Sequence, residues 1–165
     1  MGAPLFYLPE QFKIVDATAG PVTTNGGVTS DYVSLKNALY AWIVLQFTQA
    51  VGHASVIQPQ VATAVAPTGA VSITFSAPIW SNLATATTDT LVARTAATSY
   101  TLGSGIAKMQ VVIGIDPAQC VAQGASYDVI GFTVSDSSQA TNFVSGQFFL
   151  LTKFAQATPP AAITN

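Results

Sequence analysis

At 165 residues the chain is long enough for one domain with its own core and too short for two substantial ones. Hydrophobic residues make up 50 % and charged residues only 7 %, against about 25 % charged in ordinary soluble domains. A formal charge of −2 supplies no basic stripe for neutralising phosphates, which argues against nucleic-acid binding, and the one cysteine, Cys120, excludes an internal disulfide framework.

Residues Met1 to Glu10 hold two prolines and the cluster Leu5, Phe6, Tyr7, Leu8, which reads as an extended arm needing an apolar surface to lie on. The arm lacks a basic n-region and a long apolar run, so it does not read as a secretory signal. Gln11 to Asp16 predicts a first short strand. Ala19 to Ser30, with Gly20-Pro21 and Asn25-Gly26-Gly27, predicts a loop. Tyr32, Val33 and Leu35 restart a strand that breaks near Asn37.

The run Asn37 to Gln49, NALYAWIVLQFTQ, is the densest apolar stretch and carries no charge. At period two it places Ile43, Leu45 and Phe47 on one face and Tyr40, Trp42 and Val44 on the other, so both faces begin apolar. Leu39, Ile43 and Phe47 also recur at helical spacing, but the Ile-Val pair and the aromatics favour a strand. Strands apolar on both faces belong where both are covered. No charged side chain lies between Lys36 and Asp89, yet Gln46, Thr48, Gln49, Gly52, His53 and Ser55 would be stranded in hydrocarbon, which argues against a membrane span.

After a turn at Gly52-His53, Ala54 to Val65 is extended, with Pro59 pointing to an edge or a bulge. Pro67-Thr68-Gly69 is a turn. Val71, Ile73 and Phe75 alternate with Ser72, Thr74 and Ser76 in the cleanest half-buried strand pattern of the chain, ended by Pro78. Short strands are predicted at Thr90 to Ala93 and Ser99 to Leu102, then a longer one at Ala107 to Ile115. Ala118 to Gln123 forms one helical turn before Gly124, and Tyr127 to Val134 and Gly146 to Phe154 are the last strands. Asp136 to Asn142 is a short helix or a loop, and Ala155 to Asn165 is a second arm interrupted by Pro159 and Pro160. Eight or nine short strands with no long amphipathic helix predict an all-β fold: an antiparallel β-sandwich, jelly-roll-like, over residues 11–154, with arms at 1–10 and 155–165.

Catalytic patterns are missing. His53 is the lone histidine and has no acid near it in sequence, Cys120 lacks the spacing of a zinc or redox site, and the seven acids are dispersed. Neither an enzyme nor a cofactor or metal site is predicted. Trp42, Trp80, Tyr40, Tyr100 and Tyr127 supply aromatic faces for a core or for stacking on a sugar.

The stretches DYVSLKN leading into AWIVLQF, VSITFSAPIW, VVIGIDPAQ and GQFFLLTKFAQATPP cover most of the chain in order. Together they resemble small virion proteins of tailed bacteriophages, particularly the decoration or cement proteins. That resemblance implies a jelly-roll or related sandwich on the outside of a shell, bound to the major capsid protein as a homo-oligomer, dimer or trimer. It implies a place in the virion after assembly in the host cytoplasm, and no catalytic residues. The candidate interface residues are Leu5, Phe6, Tyr7, Leu8, Tyr40, Trp42, Val44, Phe154, Pro159 and Pro160. The alternatives are a neck, tail or fibre protein, or a carbohydrate-binding β-module.

Overall fold

The structure, a computed structural model, describes residues 8–66 and 69–154. A single helical turn, α1 (Leu8–Gln11), passes directly into β1 (Phe12–Asp16). Three two-residue strands follow, β2 (Val22–Thr23), β3 (Val28–Thr29) and β4 (Val33–Ser34), and lead into the long β5 (Ala38–Gln49). Then come β6 (Val56–Ala62), β7 (Val71–Ser72), β8 (Ala77–Asn82), β9 (Val92–Ala97), β10 (Tyr100–Thr101) and β11 (Ala107–Ile115). Helix α2 (Pro117–Gln123), β12 (Val129–Val134) and β13 (Phe143–Thr152) complete the described elements.

These strands form two packed antiparallel sheets, as the period-two patterns predict. The first runs β1-β13-β5-β11-β8-β9, with β2 also on β13; the second runs β10-β6-β12-β3, with β4 on β12 and β7 on β6. If β3 and β4 count as one interrupted strand, and β2, β7, β8 and β9 are set aside, eight strands remain. The first, eighth, third and sixth then make one layer and the second, seventh, fourth and fifth the other, which is jelly-roll order. The β8–β9 hairpin is inserted between the fourth and fifth of these strands and extends the first sheet beyond β11.

The core lies between the layers. Ala41, Ile43, Leu45 and Phe47 of β5 are buried with Val111 and Ile113 of β11 and Phe148 of β13 on the first sheet, and with Ile57, Val61, Ile130 and Phe132 of the second. Phe132 fits beside Gly146. A Cβ on that glycine would stand 2.8 Å from Phe132 Cζ and 2.9 Å from Leu45 Cδ2, so the ring occupies the room that the missing side chain leaves. The phenyl groups of Phe132 and Phe148 meet at 6.0 Å between centroids.

Several predictions of local structure are corrected. The N-terminal arm does not stay extended to Glu10, because residues 8–11 form a helical turn and the first strand starts at Phe12. The alternating pattern from Val71 to Ser76 gives only the two-residue β7, and the longer strand runs through Pro78 instead. Pro78 is accommodated because β9 bulges opposite it: Ala77 pairs with Ala97 but Ile79 with Arg94. Pro59 lies in β6, an inner strand, at the point where β10 pairing has ended at Ile57 and β7 pairing begins at Gln60. Its missing N–H therefore falls in a gap, and its carbonyl accepts from Ile73 at 3.1 Å. The 136–142 segment is a loop, and β13 starts at Phe143 rather than Gly146.

Replacing Phe132 by Ala is expected to cost about 3–5 kcal/mol in urea unfolding, and Gly146→Ala about 1–3 kcal/mol by overpacking. Wild-type stability in both variants would mean that this inter-sheet contact is not what joins the layers.

Candidate functional site

The outer face of the first sheet holds the best-formed candidate site. Side chains on one face of neighbouring strands are placed by register. Phe12 lies beside Leu151 and Leu151 beside Tyr40; in the next row Ile14, Phe149, Trp42, Gly114 and Pro78 stand in line. The third row is Asp16, Gln147, Val44, Val112, Trp80 and Ala93, and the fourth sets Ser145, Gln46, Gln110 and Asn82 side by side. The face thus grades from aromatic at one end to amide at the other.

The aromatic end is packed by its own members. Tyr40 and Trp42 meet at 4.7 Å between ring centroids and Phe12 and Trp42 at 5.9 Å, both tilted. The Tyr40 ring lies down over Gly114 toward Pro78, where a Cβ on the glycine would collide with the Tyr40 hydroxyl. Burial, and secondarily the charge of Asp116, push the Tyr40 phenol above its ordinary value. Tyr40, Trp42 and Val44 are half-buried, with Phe12, Phe149, Leu151, Val112 and Trp80 as their described neighbours on the face.

Gln46, Gln110 and Gln147 make no side-chain hydrogen bond to another described residue, whereas Asn82 is buried and bonded through both ends of its amide. Its Nδ2 donates to the Thr88 carbonyl at 2.6 Å, and its Oδ1 accepts from Ala84 N–H at 2.9 Å. Among the described residues the face carries Asp16 and Lys108 at its margins and Asp116 near Tyr40.

The other predicted residues disperse. Leu8 and Phe154 are exposed; Leu5, Phe6, Tyr7, Pro159 and Pro160 lie outside the described residues. Of the five aromatics singled out in the sequence, Tyr40, Trp42 and Trp80 share the outer face. Tyr100 instead places its hydroxyl 2.9 Å from Ser81 Oγ, which is fully buried, and Tyr127 packs against the core near Gly124. Phe12, Phe149, Val112 and the three glutamines escaped the sequence reading. Their alternation was visible in each strand, but which strands are neighbours was not.

A surface depression of about 500 Å³ lies where β5 begins beside α2, lined in part by Leu39, Pro117 and Val121. Its charged members are already occupied: Lys36 pairs with Asp128 at 3.3 Å, Lys153 donates to the Lys36 carbonyl at 3.2 Å, and Asp116 caps α2 by accepting from Ala118 N–H at 2.8 Å. His53 Nδ1 lies 3.1 Å from Ser55 Oγ. Cys120 is buried within α2, and burial, then Asp116, raise its thiol to about 12. Among the described residues no three of His, Cys, Asp and Glu gather as metal ligands, and no helix is long and apolar enough to cross a membrane.

No family model and no curated protein matches the chain. A solved structure described as "CBM4 structure and function" aligns at a TM-score of 0.31 and 8 % identity, over 89 % of this chain and 87 % of that one. Another, "Structure of infectious bursal disease virus Gx strain", aligns at 0.15 and 11 % identity, over 92 % of this chain and 43 % of the other. At such scores neither likeness bears on what the chain binds.

Asp136 clips two loops together, accepting from Ser138 N–H at 2.6 Å and Gly26 N–H at 2.7 Å, and these bonds hold its carboxyl below the ordinary value. A depressed folded-state pKa contributes stability above the unfolded value, and that stability is lost as pH falls through the folded one. Asp136→Asn is therefore expected to lower the urea midpoint at neutral pH, with the gap to wild type closing in acid. A gap independent of pH would refute the assignment. Cys120 should resist iodoacetamide at pH 8 in the native protein and react once urea unfolds it; ready native labelling would contradict its burial.

Proposed function

We propose that the chain is a non-catalytic structural protein that decorates and stabilises the shell of a tailed-bacteriophage virion. It is assembled in the host cytoplasm and binds the major capsid protein and copies of itself, as a dimer or trimer. The observation that carries this reading is strand β9. The first sheet extends two strands beyond β11, and in β9 every residue from Val92 to Ala96 is exposed, Val92 at 47 %. A valine- and alanine-rich strand exposed in this way, with no strand on its outer edge among the described residues, is a liability in an isolated molecule.

Sheet edges are commonly guarded by charge. The only charged residue of β9, Arg94, turns its Nε back onto Ser81 Oγ at 2.8 Å instead of standing along the edge. The bulge opposite Pro78 interrupts the edge for ladder pairing, so contact falls to the side chains of Leu91, Val92 and their alanine and threonine neighbours. A surface of such residues is cheaply desolvated against a neighbour, in contrast to one of lysine and glutamate. Repetition around a symmetric shell then sums modest contacts through effective concentration.

In purified particles the chain is expected at a fixed ratio to the major capsid protein, and Val92→Asp should lower that occupancy at least tenfold. Sedimentation of the isolated protein should show an oligomer that the same substitution dissociates. Absence from particles, or full occupancy by the Val92→Asp protein, would overturn the reading.

A further inference from the structure

We infer that the outer face of the first sheet is a binding platform for a neutral, unbranched glycan. This rests on different residues from the β9 surface and goes beyond a role in assembly. Two features of the face are independent of each other. The first is a set of aromatic rings, with Trp42 and Tyr40 packed together at one end and Trp80 on β8. Register places Trp80 two strands across from Trp42 and two residues further along, because Trp42 lies level with Gly114 and Pro78. At about 4.8 Å between strands and about 3.4 Å per residue, their Cα atoms are about 12 Å apart, a span bridged by a short run of sugar rings. The electron-rich faces of indole and phenol rings pack against the C–H faces of pyranoses.

The second feature is the row of glutamines. Gln46 and Gln110 face each other across β5 and β11, and Gln147 stands diagonally on β13, none bonded to another described side chain or carbonyl. Each amide offers two donors and an acceptor, which matches a hydroxyl that both gives and takes a hydrogen bond. A few placed polar groups beside an aromatic surface are the composition of a specific ligand site. Asp16 and Lys108 stand at the margins and the acid Asp116 lies near Tyr40, so an acidic glycan meets like charge rather than a counter-ion at the aromatic end.

Gly114 supports the platform by leaving room for the Tyr40 ring, which packs tilted against Trp42. The experiment is titration of the intact protein with neutral hexasaccharides of glucose, mannose and N-acetylglucosamine, and with an acidic uronate oligomer, read by tryptophan fluorescence and calorimetry. Saturable binding of at least one neutral chain is expected, weakened at least tenfold by Trp80→Ala or Trp42→Ala. Gln110→Ala should weaken it several-fold, and Trp42→Phe should retain most of it. Near-UV circular dichroism confirms folding, and if Trp42→Ala fails to fold, Trp80→Ala and Gln110→Ala still decide the matter. No saturable signal from any neutral glycan, tighter binding of the uronate, binding indifferent to these substitutions, or a face closed by self-association and silent to sugar would each overturn the inference.

Discussion

The ring of Phe132, seated in the room left by Gly146 and touching the neighbourhood of Leu45, fixes how the two sheets meet. With 7 % charged residues the chain has little electrostatic means of orienting its layers, so shape in the core must do it. Once the inner face of β5 is committed to that contact, strand alternation sends Tyr40, Trp42 and Val44 outward. The register with β11 and β13 then determines which side chains join them.

Both surfaces of functional interest follow from that commitment. The outer face gathers residues from β1, β13, β5, β11 and β8 into rows, aromatic at one end and amide at the other. The exposure of β9 arises because the β8–β9 hairpin extends the first sheet while the second stops at the two-residue β10, so that among the described residues no strand faces β9. Loops at one end are held by buried polar groups: Asn142 bonds both the N–H and the carbonyl of Val51, and Thr24 donates to Ser137 Oγ at 2.7 Å. Buried amides and hydroxyls tolerate such positions only when paired, so this network fixes the loops that bring β5 out of its sheet and β13 into it.

Much of the fold was legible in single strands. β5, β11, β12 and most of β13 appear where alternation and β-branched or aromatic content place them, and Asp116-Pro117 marks the start of α2 as a cap followed by a proline should. Proline misled in one place. Pro78 reads as a terminator, yet a bulge in the partner strand removes the need for its N–H, while the handsome alternation at Val71 to Ser76 finds a partner over only two residues. Local pattern states what a segment is able to form, and pairing decides whether it does.

The sequence by itself determined a sandwich of short strands, a two-sided β5 and a surface nearly free of charge, because periodicity and composition are properties of the chain alone. Tertiary structure decided that both tryptophans share one face, that three glutamines stand beside them, and that β9 is exposed along most of its length. Those facts depend on strand order and register between segments up to more than a hundred residues apart, as Phe12 and Leu151 are. Alternation within a strand fixes only which side a residue takes, never its neighbour across the gap.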